Sequence, residues 1–364
     1  VASLAGRRSR VSSLCGRGES PATRTTCRVL IPAVHTCDAG DRHRSAAART
    51  LRDYYIQDLK MRTTLKRRAV ALCAIVPGLL SIGAWAHSIA GNRVFPATLS
   101  VDDPGVGDEV NLEFGHVKSL TDDGDEQNTN TTTLEWDKLI TPSFALSVTA
   151  NYVNINAPNG GSASGFDNFE VGAKYRFYVN EAHEFMASAG VFAELGGTGS
   201  KAIASPHSAL SPKLFAGKGF GDLPDSVKYL RPFAVTVEVG PRLTLSSAEP
   251  DSIDWGVTLQ YSLPYLQNYV QDIGLKAPFS NLIPVVEFPM NTCTGGPCSG
   301  HTTGSINPGL IWLNRWGQFG AEVVIPVNHA SGKGVGVLLQ AHLFLDDILP
   351  NSVGKPLFGK GEGK

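Results

Sequence analysis

The chain lacks a long apolar run. Beyond Gly83 no stretch is apolar for the length a membrane-spanning helix needs, so the body of the chain does not cross a bilayer as a helix. It has no basic patch in its body, which argues against nucleic acid as a partner. It lacks a Gly-x-Ser-x-Gly elbow and any Walker or dinucleotide glycine pattern. GKGFG at 217–221 and GKGVG at 332–336 sit in strand contexts, not before helices. Charged residues make up 18%, too few for a coiled coil or a disordered chain. Cysteine is scarce: of six, only Cys293 and Cys298 follow residue 86. No cofactor motif and no metal-ligand set stands out, and the histidines hold no recognisable spacing to a serine, so an enzyme is not expected.

What is present is a sharp change of character along the chain. Residues 1–86 hold fifteen basic and five acidic residues, and the remainder carries about −11. Residues 1–60 are rich in Arg and Ser and have no sustained period. They read as a non-native or disordered N-terminal extension, because of what Met61 begins. Lys66, Arg67 and Arg68 form a positive n-region, Ala69 to Gly83 an apolar h-region, and Ala84-Trp85-Ala86 a cleavage site. Residues 61–86 are therefore expected to be a cleaved signal peptide, with export to follow.

Residues 87–107, HSIAGNRVFPATLSVDDPGVG, are broken by proline and glycine and predict a periplasmic lead-in. Asp102, Asp103, Asp108 and Glu109 could hold a cation, but they lack calcium-loop spacing, and a solvated turn is the plainer reading. Period-two alternation then begins. Phe169, Val171, Ala173, Tyr175 and Phe177 face one way, with Glu170, Lys174 and Arg176 opposite. After a short break, Phe185, Ala187, Ala189, Val191 and Ala193 alternate with Ser188, Gly190 and Glu194. Each strand is about ten residues, the length a tilted strand needs to cross a bilayer. Eleven or twelve such strands follow one another. Short turns (Thr141-Pro142, Asn180–His183, Asn314–Gly317) alternate with longer polar loops, among them the acidic stretch at Asp122, Asp123, Asp125 and Glu126. Pro284 and Pro289 mark Leu282 to Met290 as a weak or edge strand. Aromatics gather near strand ends: Trp136, Tyr152, Tyr178, Trp255, Tyr261, Trp312 and Trp316.

These features predict an all-β fold, an antiparallel transmembrane β-barrel of about twelve strands over 108–346, with a periplasmic C-terminal tail at 347–364. A soluble β-sandwich is the competing architecture. Inward-facing candidates are Glu113, Glu170, Lys174, Arg176, Glu194, Glu238, Gln260, Gln340 and His342. They either form a selectivity lining or fill a narrow barrel as cross-strand ion pairs. Cys293 and Cys298, in a Gly/Pro loop of an exported protein, suggest a disulfide. Free thiols, or a metal with His301 as third ligand, are the alternatives.

Three stretches carry a resemblance: GNRVFPATLSVDDPGVGDE at 91–109, LFAGKGFGDLPDSVKYLRPFAV at 214–235 and LQAHLFLDDILPNSVGKPLFG at 339–359. Over 87–358 the chain resembles an uncharacterised family of Gram-negative outer-membrane β-barrel proteins labelled as transporters, of the phenol-degradation meta-pathway type. The resemblance implies a cell outer-membrane location, a barrel of about twelve strands and small-molecule passage. It supplies no substrate and no site residues. Unlike barrels that end on a terminal aromatic, this chain continues for about twenty residues past Phe344. The expected function is an outer-membrane channel or transporter for passive passage of small molecules. A non-conducting structural or surface-interaction barrel is the alternative, and a soluble periplasmic β-protein the third reading. Expected partners are outer-membrane lipid and lipopolysaccharide, the barrel-assembly machinery and a small-molecule solute. The oligomeric state is not legible.

Overall fold

The computed structural model describes residues 88–120, 126–156 and 161–359. The extension, the signal segment and the acidic loop around Asp122 lie outside the described residues. Twelve strands form the wall: β1 (Glu109–Leu120), β2 (Glu126–Thr141), β3 (Phe144–Asn156), β4 (Ser162–Phe166 continued by Glu170–Asn180), β5 (Phe185–Glu194), β6 (Ala209–Gly219), β7 (Phe233–Thr244), β8 (Ser252–Tyr261), β9 (Leu282–Cys293), β10 (Thr302–Asn314), β11 (Gly317–Pro326) and β12 (Gly336–Phe344). Each pairs antiparallel with its chain neighbours, and β12 pairs with β1, from Val337 opposite His116 to Phe344 opposite Glu109. The sheet is closed. Closure leaves no edge and satisfies the ladder all round, which is what a strand-built membrane protein requires.

Alternation decides which face is which. Leu112, Phe114, Leu134, Trp136, Val148, Leu214 and Leu339 point outward, each more than two-fifths exposed. Polar neighbours at the intervening positions, such as Ser188, Thr236, Thr258, Gln260 and Glu287, are buried inside. An apolar outer face on a closed barrel belongs in lipid, so the protein is an outer-membrane β-barrel and the soluble sandwich is excluded. Aromatics band both ends. Trp312, Trp316 and Phe319 cluster at one, with Phe233 against Tyr261 at 4.7 Å between ring centroids. Tyr152, Phe166 and Phe169 cluster at the other.

The structure departs from the sequence reading at several places. β9 is a full wall strand, paired with both β8 and β10. Its pairing with β10 lapses at Phe288 and Pro289, which is where a residue without an N–H can be carried. A register shift between Arg176 and Tyr178 turns both Phe177 and Tyr178 outward, so the alternation slips at the end of β4. The turns at the end bearing the chain termini are not all short. The segments 142–143, 181–184 and 315–316 are, but 220–232 and 262–281 are long and carry helical turns.

The largest correction concerns residues 88–108. They are neither a lead-in ahead of the barrel nor a solvated turn: they run inside it. A small hairpin, Ile89–Ala90 paired with Arg93–Val94, turns at Gly91 with φ +61°, where a Cβ would also sit 2.5 Å from the Glu181 carbonyl oxygen. Phe95 then buries with Ala90, Met186 and Ala234, and Leu99 with Ile283, Val285 and Ile311. At the other terminus the segment after β12 folds back on β2, where Leu357 and Phe358 donate backbone N–H to Leu139 and Ile140. Lys138 ties the end of the inserted segment to the segment after β12, through Asp108 (2.7 Å) and the carbonyls of Val353 and Lys355.

Candidate functional site

The site is the barrel interior, and its centre is a carboxylate on β9. Strand alternation turns Glu287 inward with Ile283 and Val285, and it is fully buried. Its two oxygens accept three consecutive backbone N–H groups of the inserted segment: Leu99 at 2.7 Å, Ser100 at 2.8 Å and Val101 at 2.6 Å. Unpaired buried N–H groups are costly, and a carboxylate that takes three at once fixes the segment's path. Glu322 on β11 lies beside it.

Inward side chains from around the ring hold the rest of the segment. Asn307 on β10 donates to Ser100 Oγ at 2.8 Å, Gln318 on β11 to the Ala97 carbonyl, and Gln340 on β12 to the Thr98 carbonyl at 3.5 Å. Ser188 on β5 donates to the Pro104 carbonyl, and Lys174 on β4 reaches Asp102 at 2.9 Å. Three inward glycines receive its side chains. A Cβ on Gly217 would meet the Phe95 ring at 2.9 Å, one on Gly256 would meet Val101 at 2.7 Å, and one on Gly320 would meet Leu99 at 2.6 Å.

Arg93 anchors the hairpin at the terminal end. Fully buried, it donates Nε–H to Glu184 at 3.1 Å and Nη1–H to the Pro232 carbonyl at 3.0 Å. Its guanidinium lies 3.9 Å from the centroid of the Tyr265 ring. Tyr265 in turn donates its hydroxyl to Glu184 at 2.7 Å. Burial lowers the Arg93 pKa and raises that of Tyr265, and both shifts follow from desolvation first. Burial likewise pushes the Asp103 carboxyl up to about 6, against the pull of Lys174.

The nine residues singled out from the sequence occupy intervening positions on the inward side, and most are paired. Glu194 binds Arg242 at 2.6 Å, and Glu238 binds Lys213 at 3.1 Å. Lys174 binds Asp102, and Arg176 donates to the Pro142 carbonyl at 3.0 Å. Gln340 accepts from Gln318 at 2.8 Å, and His342 Nε2 meets Glu109. Glu170 stands directly opposite Glu194, and Glu113 opposite Gln340. Gln260 is buried with neither amide atom partnered. Cys293 and Cys298 form a disulfide in the β9–β10 loop.

Sequence reasoning passed over Glu287, Glu322, Glu135, Asp137 and Arg93. Phe215, which it assigned to neither face, is buried inside against Phe192, beneath Lys174. Alternation with Leu134 and Trp136 would have found Glu135 and Asp137.

Two cavities border the inserted segment. One of about 530 Å³ lies at the terminal end, between the hairpin, the 262–281 segment and Phe344. A smaller one of about 70 Å³ lies between residues 97–107 and the wall of β1 to β5 and β12.

No family model matches the chain, and no curated protein does. Among solved structures the chain is similar to an outer-membrane channel from Pseudomonas putida F1 (TM-score 0.45, 13% identity, 69% of this chain and 99% of that one). It is also similar to the KdgM porin (TM-score 0.40, 11% identity, 65% and 98%) and to the NanC porin (TM-score 0.40, 7% identity, 65% and 98%).

Proposed function

We propose that the protein is an outer-membrane channel for passive passage of small polar molecules, with residues 88–108 as its internal stopper. The observation that carries this reading is the pairing of an apolar outer face with an interior wall of charged and amide side chains. Glu113, Glu170, Lys174, Arg176, Glu194, Glu238, Gln260, Gln340 and His342 are its lining in this reading. The inserted segment is held largely by hydrogen bonds from single side chains spread over many strands, so it can leave without any wall strand unpairing. The end that carries both termini faces the periplasm in this reading, and residues 347–359 form a tail there.

The test is planar-bilayer conductance of the folded protein with and without residues 88–107. Discrete steps that grow in size or frequency on deletion are expected. The filled interior favours a second reading, a non-conducting structural barrel. A deletion variant that folds and inserts, yet passes no current, would establish that second reading and end the first.

A further inference from the structure

The wall across from Glu287 is rich in carboxyl groups. On β1 and β2, Glu109 stands directly opposite Asp137, and Asn111 directly opposite Glu135. Like charges facing each other across a ladder destabilise it unless something positive lies between. These side chains border the 70 Å³ chamber together with Asp102 and Asp103 of the inserted segment, which makes five carboxylates. The cationic groups on the same wall are Lys174 and His342, and both are engaged: Lys174 with Asp102 at 2.9 Å, His342 Nε2 with Glu109. Asp103 accepts from Ser88 Oγ and from the Gly105 N–H. Glu135 and Asp137 make no hydrogen bond or ion pair among the described residues.

One further atom points to a ligand. Asn111 Oδ1 is buried without a hydrogen-bond partner. Asn111 is 9% exposed and borders this same chamber. Buried polar atoms are ordinarily satisfied. The Asn111 atom is an acceptor. The space is therefore lined mainly by acceptors, and its one ammonium, Lys174, is already engaged by Asp102 and the Asp103 carbonyl. Among the described residues no group of three or more His, Cys, Asp or Glu is placed to hold a metal ion. The volume is about twice the share of a water molecule in the liquid, roughly 30 Å³.

We propose that this chamber is a binding site for a small organic cation with N–H donors, a primary ammonium or a guanidinium group, held by Asp137, Glu135 and Asn111. The larger cavity shares Asp103 and Glu109 with it, so the site is approached from the end of the barrel that carries the termini. The site goes beyond the channel reading and stands whether or not the barrel conducts.

The experiment is a saturation-transfer NMR titration of the full, folded protein in detergent at low salt, with methylammonium chloride as the probe. Saturable binding is expected, at least tenfold weaker for tetramethylammonium, which has the charge but no N–H, and none for acetate. Asp137→Asn and Glu135→Gln should each weaken methylammonium binding at least tenfold. Heat-modifiable gel mobility reads whether each variant is folded, and the comparison of the three probes on the unaltered protein decides the matter without any variant. The proposal is overturned by absence of saturable methylammonium binding, by equal binding of tetramethylammonium, or by folded variants that bind unchanged. Conductance is measured separately on the variant lacking residues 88–107, so silence of that variant refutes the channel, while methylammonium binding by the full protein leaves the site intact.

Discussion

Glu287→Gln should loosen the inserted segment by a calculable amount. The carboxylate accepts Leu99 N–H on one oxygen and Ser100 and Val101 N–H on the other. The amide keeps one oxygen. Its best orientation leaves that oxygen on Ser100 and Val101 and turns the NH₂ towards the Leu99 N–H. One orphaned buried N–H costs about 1–3 kcal/mol, and loss of charge assistance costs roughly 1 kcal/mol on each of the other two. Removing a negative charge beside Glu113 and Glu322 returns part of this. A net loss of about 2–4 kcal/mol remains, which is roughly thirtyfold to a thousandfold in the seated-to-released ratio, at 1.4 kcal/mol per tenfold. Amide hydrogen exchange of residues 99–101, read by mass spectrometry on the folded protein, reports that ratio directly. Protection should fall by the same factor while the β5 to β8 wall stays protected. Unchanged protection at 99–101 would refute the claim that Glu287 holds the segment.

The remaining predictions concern the notches, the buried acid and the disulfide. Gly256→Ala places a Cβ 2.7 Å from the branched Val101 side chain, so it should release the segment and raise single-channel open time while leaving the barrel folded, read by bilayer recording and gel mobility. Asp103 lies outside the wall strands, with its folded pKa raised by burial from 3.8 to about 6. Below about pH 4 it is protonated in both states, between 4 and 6 the unfolded chain ionises first, and above 6 the folded state bears the full cost. Its contribution therefore favours acid, by about 3 kcal/mol between pH 7 and pH 4. Asp103→Asn should gain stability at pH 7 relative to the unaltered protein and lose that advantage by pH 4 in urea titrations. Reduction of Cys293–Cys298, which closes a loop of sequence separation 5, should cost about 2 kcal/mol in the same titration and leave conductance unchanged.

The wall was legible because a strand writes its orientation into consecutive residues. Val110 to Phe114, Phe144 to Tyr152 and Val335 to Leu345 alternate visibly, and the alternation alone separates lipid-facing Leu112 from inward Glu113. The disulfide was suggested by two cysteines in a Gly/Pro loop. The inserted segment was not legible, because nothing in it repeats and the bonds that seat it in the wall join residues far apart in sequence. Ser100 meets Glu287 and Asn307, Thr98 meets Gln340, and Asp102 meets Lys174, all pairs that lie far apart in sequence. Pro96, Pro104, Gly105 and Gly107 look like linker punctuation, but here they let an irregular backbone follow the inside of a curved wall. Glu287 was lost for a related reason. Pro284 and Pro289 on either side of it lower the strand reading of the residues that carry it, while closure of the barrel supplies the pairing that local propensity does not.

The glycines show that the segment and the wall were shaped to each other. A glycine inside a strand forfeits packing and costs roughly 0.5–1 kcal/mol of conformational entropy relative to alanine. β6, β8 and β11 each accept that cost at an inward position, at Gly217, Gly256 and Gly320, and each notch is filled by an apolar side chain of the segment: Phe95, Val101 and Leu99. A wall built around an empty, water-filled bore would gain by a larger polar residue at each of these places. Two of these residues, Leu99 and Val101, also donate their N–H groups to Glu287, so notch and carboxylate fix one register together. A shift of the segment by a single residue would put all three side chains against filled wall and move the N–H groups off both carboxylate oxygens. Seating is therefore cooperative. Loss of any one contact weakens the others, and partial withdrawal of the segment should be less populated than full release.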